Sequence, residues 1–154
     1  MQTGSMISPQ MFRKYLKEMY KDLFTACRKK GVHVYLSSDG NIIDIIDDLI
    51  DCGISIHDPQ TGAITTENIK KHYKGKICIN LDLNRQKFPF YKPEEIEKII
   101  VDYMNKLNSE EGGLMFWAVI IDAVPIKFIE ALCSTFIKKL IYKYRINSLF
   151  QIIS

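Results

Sequence analysis

Apolar residues recur at two distinct periods along this chain, and the periods alternate. Met11, Phe12, Tyr15, Leu16, Met19, Leu23 and Cys27 stand three or four apart. That spacing predicts a helix with one apolar stripe. Ser8 is placed to cap it, Pro9 suits its first turn, and Gly31 ends it. Val32-His33-Val34-Tyr35-Leu36 is a short apolar run, read as a buried strand, and Ser37-Ser38-Asp39-Gly40-Asn41 is a polar loop at its end. A helix from Ile42 to Cys52 follows, stopped by Gly53.

The same alternation fills the rest. Ile54-Ser55-Ile56 predicts a strand, with His57-Asp58-Pro59-Gln60 as the loop after it. Thr65 or Thr66 starts a helix to Tyr73, and Lys76 to Leu81 is the next strand. Pro93 opens a helix to about Leu107, Leu114 to Ile120 is a strand, and Pro125 opens a last helix towards Tyr144. The segment 146–154 is apolar and poorly patterned. A helix followed by four strand–helix units predicts an α/β fold with a parallel sheet under helical cover. In such folds ligands bind at the carboxyl ends of the strands. Those ends are the loops at Ser37–Asn41, His57–Gln60, Leu81–Arg85 and Ile121–Val124.

Composition narrows the class. The chain has 154 residues, 47% of them hydrophobic and 25% charged, which is globular and one domain by length. A complete (β/α)₈ barrel needs roughly 200–250 residues. The net charge is +3, too small to imply nucleic acid. Lys138, Lys139, Lys143 and Arg145 make the end basic, but no aromatic interleaving accompanies them, so they read as a solvated helix face. Cys27, Cys52, Cys78 and Cys133 form no C-x-x-C pair and sit in apolar settings, as reduced thiols of a cytoplasmic protein do. No run approaches the roughly 18 apolar residues of a membrane span. Met1 to Ser5 lack the charged and apolar regions of a secretory signal, and read as a cloning scar or the continuation of a longer chain.

Several segments, taken in order, resemble the uroporphyrinogen decarboxylase superfamily, which contains tetrapyrrole decarboxylases and zinc-dependent corrinoid methyltransferases. Gln2 to Phe12 looks like the segment leading into the helix after the fifth strand of that barrel. Gly31 to Asn41 is similar to its sixth strand and following loop, and Asp48 to Ile54 to the turn into its seventh. Asn80-Leu81-Asp82 with Pro93-Glu94-Glu95-Ile96 resembles the eighth-strand region. Gly112-Gly113, Asp122, Pro125 and Ile129-Glu130-Ala131-Leu132 resemble the closing segment. The resemblance implies the C-terminal half of a TIM (β/α)₈ barrel over residues 1–154, and either tetrapyrrole decarboxylation or methyl transfer from a corrinoid.

It does not carry over a complete active site. The family's tetrapyrrole-holding aspartate would fall before the first residue. Where methyltransferases keep a His-x-Cys zinc pair, this chain has Ser37 and Asp39, and no Cys lies between Gly113 and Pro125. Other members keep His-x-Asp-Gly there, and Ser37 again replaces the His. The decarboxylases' late histidine falls near Trp117, and a frequent Asn after the final Pro is Phe128. No metal and no cofactor are therefore expected.

The candidate substrate-binding residues are the polar ones at strand ends: Ser37, Ser38, Asp39, Asn41, Asn80 and Asp82. Asp39 suits a pyrrole-type N–H, but Asp39-Gly40-Asn41 is also a good turn that caps the next helix. His57 beside Asp58 has the elements of an oriented base. Adjacent strand residues point to opposite faces, so a satisfied loop histidine is the plainer reading. Gly112-Gly113 lacks the Lys-Ser or Lys-Thr of a phosphate loop. Half a barrel has two open strand edges and an exposed inner face, so self-association is expected. Two functions remain: a truncated enzyme acting on a tetrapyrrole or corrinoid-linked small molecule, or a non-catalytic remnant serving as a binding and self-association module, inactive alone.

Overall fold

The computed structural model describes residues 4–84, 90–120 and 124–141. It separates into two compact units. Met1–Asn84 with Lys106–Val119 form the first, and Arg85–Asn105 with Ile120–Ser154 the second.

The first unit opens with α1 (Pro9–Tyr15) and α2 (Lys17–Arg28). The Ser8 hydroxyl accepts the Met11 N–H at 3.2 Å, and Pro9 sits at the first helical position, where a missing N–H costs nothing. The single helix expected from the apolar stripe is broken at Leu16, whose φ of −119° departs from the helical value while its backbone hydrogen bonds continue. The rings of Phe12 and Tyr20, and of Tyr20 and Phe24, pack at a tilt with centroids 5.8 and 5.4 Å apart, which ties the two helices into one layer. Then come β1 (Tyr35–Ser37), α3 (Ile46–Cys52), β2 (Ile56–Asp58), α4 (Thr66–Tyr73), β3 (Cys78–Asp82) and, after the chain returns, β4 (Leu114–Trp117). Helix α3 starts four residues later than its apolar pattern suggests. The Asn41 side chain takes the Ile43 N–H at 3.1 Å, and this local turn competes with the helix. Gly53, at φ 110°, closes α3 in a conformation that side chains avoid. The Thr65 hydroxyl accepts the Asn68 N–H and starts α4.

The four strands form one parallel sheet in the order β1-β2-β3-β4. Pairing aligns Leu36, His57, Ile79 and Leu114 in one row. Because strand residues alternate, that row continues on one face through Leu81 and Phe116. Tyr73 of α4 lies against His57, with ring centroids 5.5 Å apart, so this face carries helical cover. The opposite face bears Tyr35, Ser37, Ile56, Asp58, Cys78, Asn80, Asp82, Met115 and Trp117. The fully buried Ile46, Ile64, Ile69, Tyr73, Ile79 and Leu81 mark the core of this unit.

The second unit carries most of α5 (Pro93–Leu107) and all of α6 (Ile126–Phe136), which passes into a π turn at Ile137–Ile141. Lys139 on that turn pairs with Glu97 of α5 at 3.0 Å. Arg85, residues 121–123 and the tail at 146–154, all named as loop or tail above, lie outside the described residues.

Candidate functional site

The carboxyl ends of β1, β2 and β3 bring together polar side chains from three strands. Ser37 ends β1, Asp58 ends β2 and Asp82 ends β3. The pairing sets Ser37 beside Asp58, and one further step of the β2–β3 register sets Asp58 level with Asn80. The Ser37 hydroxyl donates to Asp58 Oδ2 at 2.8 Å. Asp58 Oδ1 is buried and meets no hydrogen-bond donor among the described residues. Asn80 Nδ2 donates to the Tyr35 hydroxyl at 3.3 Å, across two strands of the same face. Asp82 is 4% exposed and is the Cα partner of Trp117. Its carbonyl accepts from the Thr61 hydroxyl at 3.0 Å.

Of the six residues singled out in the sequence, Ser37, Asn80 and Asp82 therefore share one face. Ser38 turns to the other side, where its Oγ lies 3.0 Å from His57 Nε2. Asp39 is exposed on the loop, and Asn41 spends its side-chain oxygen on the Ile43 N–H. The Gly40 N–H donates to Gln60 Oε1 at 2.6 Å, which ties the first strand-end loop to the second.

His57 and Asp58 belong to β2 and not to the loop after it. His57 has no exposed surface, and burial lowers its pKa to about 4 against the opposing pull of the Asp58 charge. Its Nδ1 has no hydrogen-bond partner among the described residues. Asp58 was absent from the candidate set because the strand was expected to stop at Ile56. The available signal was parity: if His57 enters the buried row, its neighbours Ile56 and Asp58 share the opposite face with Ser37.

The donor set does not suit the zinc that the resemblance brings to mind. Ser37 and Asp39 stand at the matching positions, and among the described residues no three His, Cys, Asp or Glu gather closely enough to hold a metal ion. Burial raises the Cys78 thiol above its ordinary pKa, which disfavours the thiolate a metal would need. No helix among the described residues is long and apolar enough to cross a membrane.

Among solved structures, this chain is similar to a methyltransferase from Methanosarcina mazei. The TM-score is 0.57 at 18% identity, over 84% of this chain and 37% of the methyltransferase. The likeness shows the fold: an α/β chain whose four parallel strands alternate with helices, as in part of a TIM barrel. The chain spans little more than a third of that methyltransferase's length. No protein-family model and no curated protein matches it.

Proposed function

We propose that the chain is a ligand-binding part of a (β/α)₈-type protein of the uroporphyrinogen decarboxylase superfamily. Its site is the strand-end face formed by Ser37, Asp58, Asn80 and Asp82, with Ser38, Asp39 and Asn41 on the adjoining loop. The observation that carries this reading is the buried Asp58 oxygen with no donor among the described residues. A buried acceptor left unsatisfied is costly, and a ligand bearing N–H or O–H groups removes that cost. A tetrapyrrole, or a corrinoid-linked small molecule, presents such donors on a broad apolar frame. Of the two family chemistries, methyl transfer is favoured by the name of the solved neighbour. On its own the chain binds without turning over, because the donor set lacks the metal ligands of that chemistry. It works in the cytoplasm, and copies associate through the sheet face.

Trp117 is the single tryptophan and is paired in register with Asp82, so it reports on this face. Titration with a porphyrin and with cobalamin is expected to change its fluorescence saturably. Asp58→Asn should weaken that binding about tenfold, the loss of a hydrogen bond to a charged group. Unsaturable quenching that is identical in the variant would rule the site out. Gel filtration across micromolar concentrations tests association separately, and a constant monomer volume would end that part.

A further inference from the structure

We propose that a second groove, at the opposite ends of the strands, binds the phosphate group of a small phosphorylated molecule. The groove is open to solvent, offers about 530 Å³ and is lined by Arg28, His33, Ser55, Lys76, Ser109 and Glu111, with Gly75, Gly112 and Gly113. Ser55 and Ile77 stand just before β2 and β3, whereas Asp58 and Asp82 end those strands. The two sites therefore lie at opposite ends of one sheet. The volume falls within the range of roughly 300–1,000 Å³ typical of small-molecule sites.

Arg28 lines the groove. Its Nη1 donates to Ser55 Oγ at 2.8 Å and lies 3.1 Å from His33 Nδ1. It also reaches the Val32 carbonyl at 3.5 Å. Ser55 Oγ in turn accepts the Val34 N–H at 3.2 Å, so this one nitrogen is tied to the starts of β1 and β2. The guanidinium plane is thus oriented through Nη1, and among the described residues its other nitrogens have no partner and remain to bind. Arg28 makes no ion pair among the described residues. A planar guanidinium held this way matches two oxygens of a phosphate.

The surroundings supply the rest. Lys76 brings a second cation, shared with Asp47 at 2.8 Å. Ser55 brings a hydroxyl that accepts from Arg28 and Val34 and keeps its own proton to donate, whereas the Ser109 hydroxyl donates to the Gly112 carbonyl at 2.6 Å. Gly112 and Gly113 have φ of 92° and 88°. A Cβ built on Gly112 would meet nothing within 4 Å, and one on Gly113 only the Ile77 carbonyl at 3.9 Å. Open space therefore lies against the main chain, where a ligand can approach closely, while the Gly112 N–H itself is given to the Ser109 carbonyl at 3.1 Å. Glu111 is the opposing charge. A dianionic phosphate with three accepting oxygens engages the arginine fork and a hydroxyl together, which a carboxylate with two oxygens does less completely.

The test is a titration of the full chain with inorganic phosphate, glycerol phosphate and acetate, followed by backbone amide chemical shifts. Saturable shifts at Ser55, Gly112 and Gly113 are expected with both phosphates, and weaker ones with acetate. Arg28→Met should weaken phosphate binding about tenfold, as for loss of a charge-assisted bond. Because Arg28 also ties β1 to β2, Glu111→Gln separates binding from folding: it should tighten phosphate binding about threefold by removing a repulsive surface charge. Absence of saturation, equal affinity for acetate, or no tightening in Glu111→Gln would each overturn the proposal.

Discussion

Ser38 Oγ lies 3.0 Å from Nε2 of His57, a ring with no exposed surface at all. The half-buried loop hydroxyl is thereby joined to the buried interior of β2. Burial lowers the His57 pKa to about 4 from an ordinary 6.5. The unfolded chain takes up this proton more readily than the folded one. The neutral imidazole therefore contributes stability that is fully present above pH 6.5 and is lost as pH falls towards 4. The shift corresponds to about 3 kcal/mol. Urea unfolding at a series of pH values should show this loss, and His57→Gln should flatten that window relative to the parent chain. An equal slope in the variant would contradict it.

Tyr73 offers a prediction of the opposite sign. Its ring is fully buried against His57, and its hydroxyl has no hydrogen-bond partner among the described residues. Burial, with the charges of Asp58 and Asp47, raises its pKa well above the ordinary tyrosine value, so it stays protonated. Tyr73→Phe removes an unsatisfied polar atom and keeps the packing. It should stabilise the fold by about 1 kcal/mol, read as a higher urea midpoint at constant slope.

Asp48 holds α3 to the opening helices. Its oxygens meet Arg13 Nε at 2.8 Å and Lys17 Nζ at 2.7 Å. Burial pushes its carboxyl up, but the hydrogen bonds from Lys17 and Arg13 outweigh this and hold it below the ordinary carboxylate value. Asp48→Asn should cost about 2 kcal/mol, since two cations lose a partner that is itself largely shielded. Arg13→Met should cost less than Lys17→Met, because the Arg13 side chain is 54% exposed and that of Lys17 only 23%. Thermal unfolding of the three variants orders them.

Gly53→Ala should destabilise by about 1–2 kcal/mol through backbone strain alone. The added methyl would sit 3.5 Å from Arg28 Cγ and 3.6 Å from Phe24 Cβ, ordinary contact distances, while φ stays at 110°. Gly31→Ala, at φ 73° with nothing within 4 Å, provides the comparison without neighbours. A thermal shift in both variants, with unchanged far-ultraviolet circular dichroism, confirms strain.

Much of this architecture was legible in local chemistry. Ser8, Pro9, Gly31, Gly53 and Thr65 mark helix ends by caps that act over three or four residues, so a sequence displays them directly. The alternation of strands with helices requires a parallel sheet by the same logic. The break at Leu16 was hidden because the apolar stripe runs through it without interruption. The late start of α3 was hidden because it depends on where the Asn41 side chain points. The ends of β2 and β3 were placed too early because His57, Asp58 and Asp82 are polar, and polar residues read as loop unless their partners across the sheet are known. β4 was drawn too long, to Ile120 instead of Trp117, because Ala118, Val119 and Ile120 prolong its apolar run. Ser37, Asn80 and Asp82 were singled out because they are polar and stand at or near the ends of apolar runs. Their grouping with Asp58, apart from Ser38, follows from register, which no single strand records.

The parity of β3 has a consequence for how this chain can vary. Ile79 and Leu81 enter the buried row, while Cys78, Asn80 and Asp82 face the other way. Inserting or deleting one residue between Gly75 and Cys78, without a compensating bulge, would exchange the two sets. The carboxylate of Asp82 would then be driven among the helices, and the isoleucine and leucine out of them. Length changes in that short connection are therefore tolerated only in pairs, and the same event that spoils the polar strand-end face would also unseat the core.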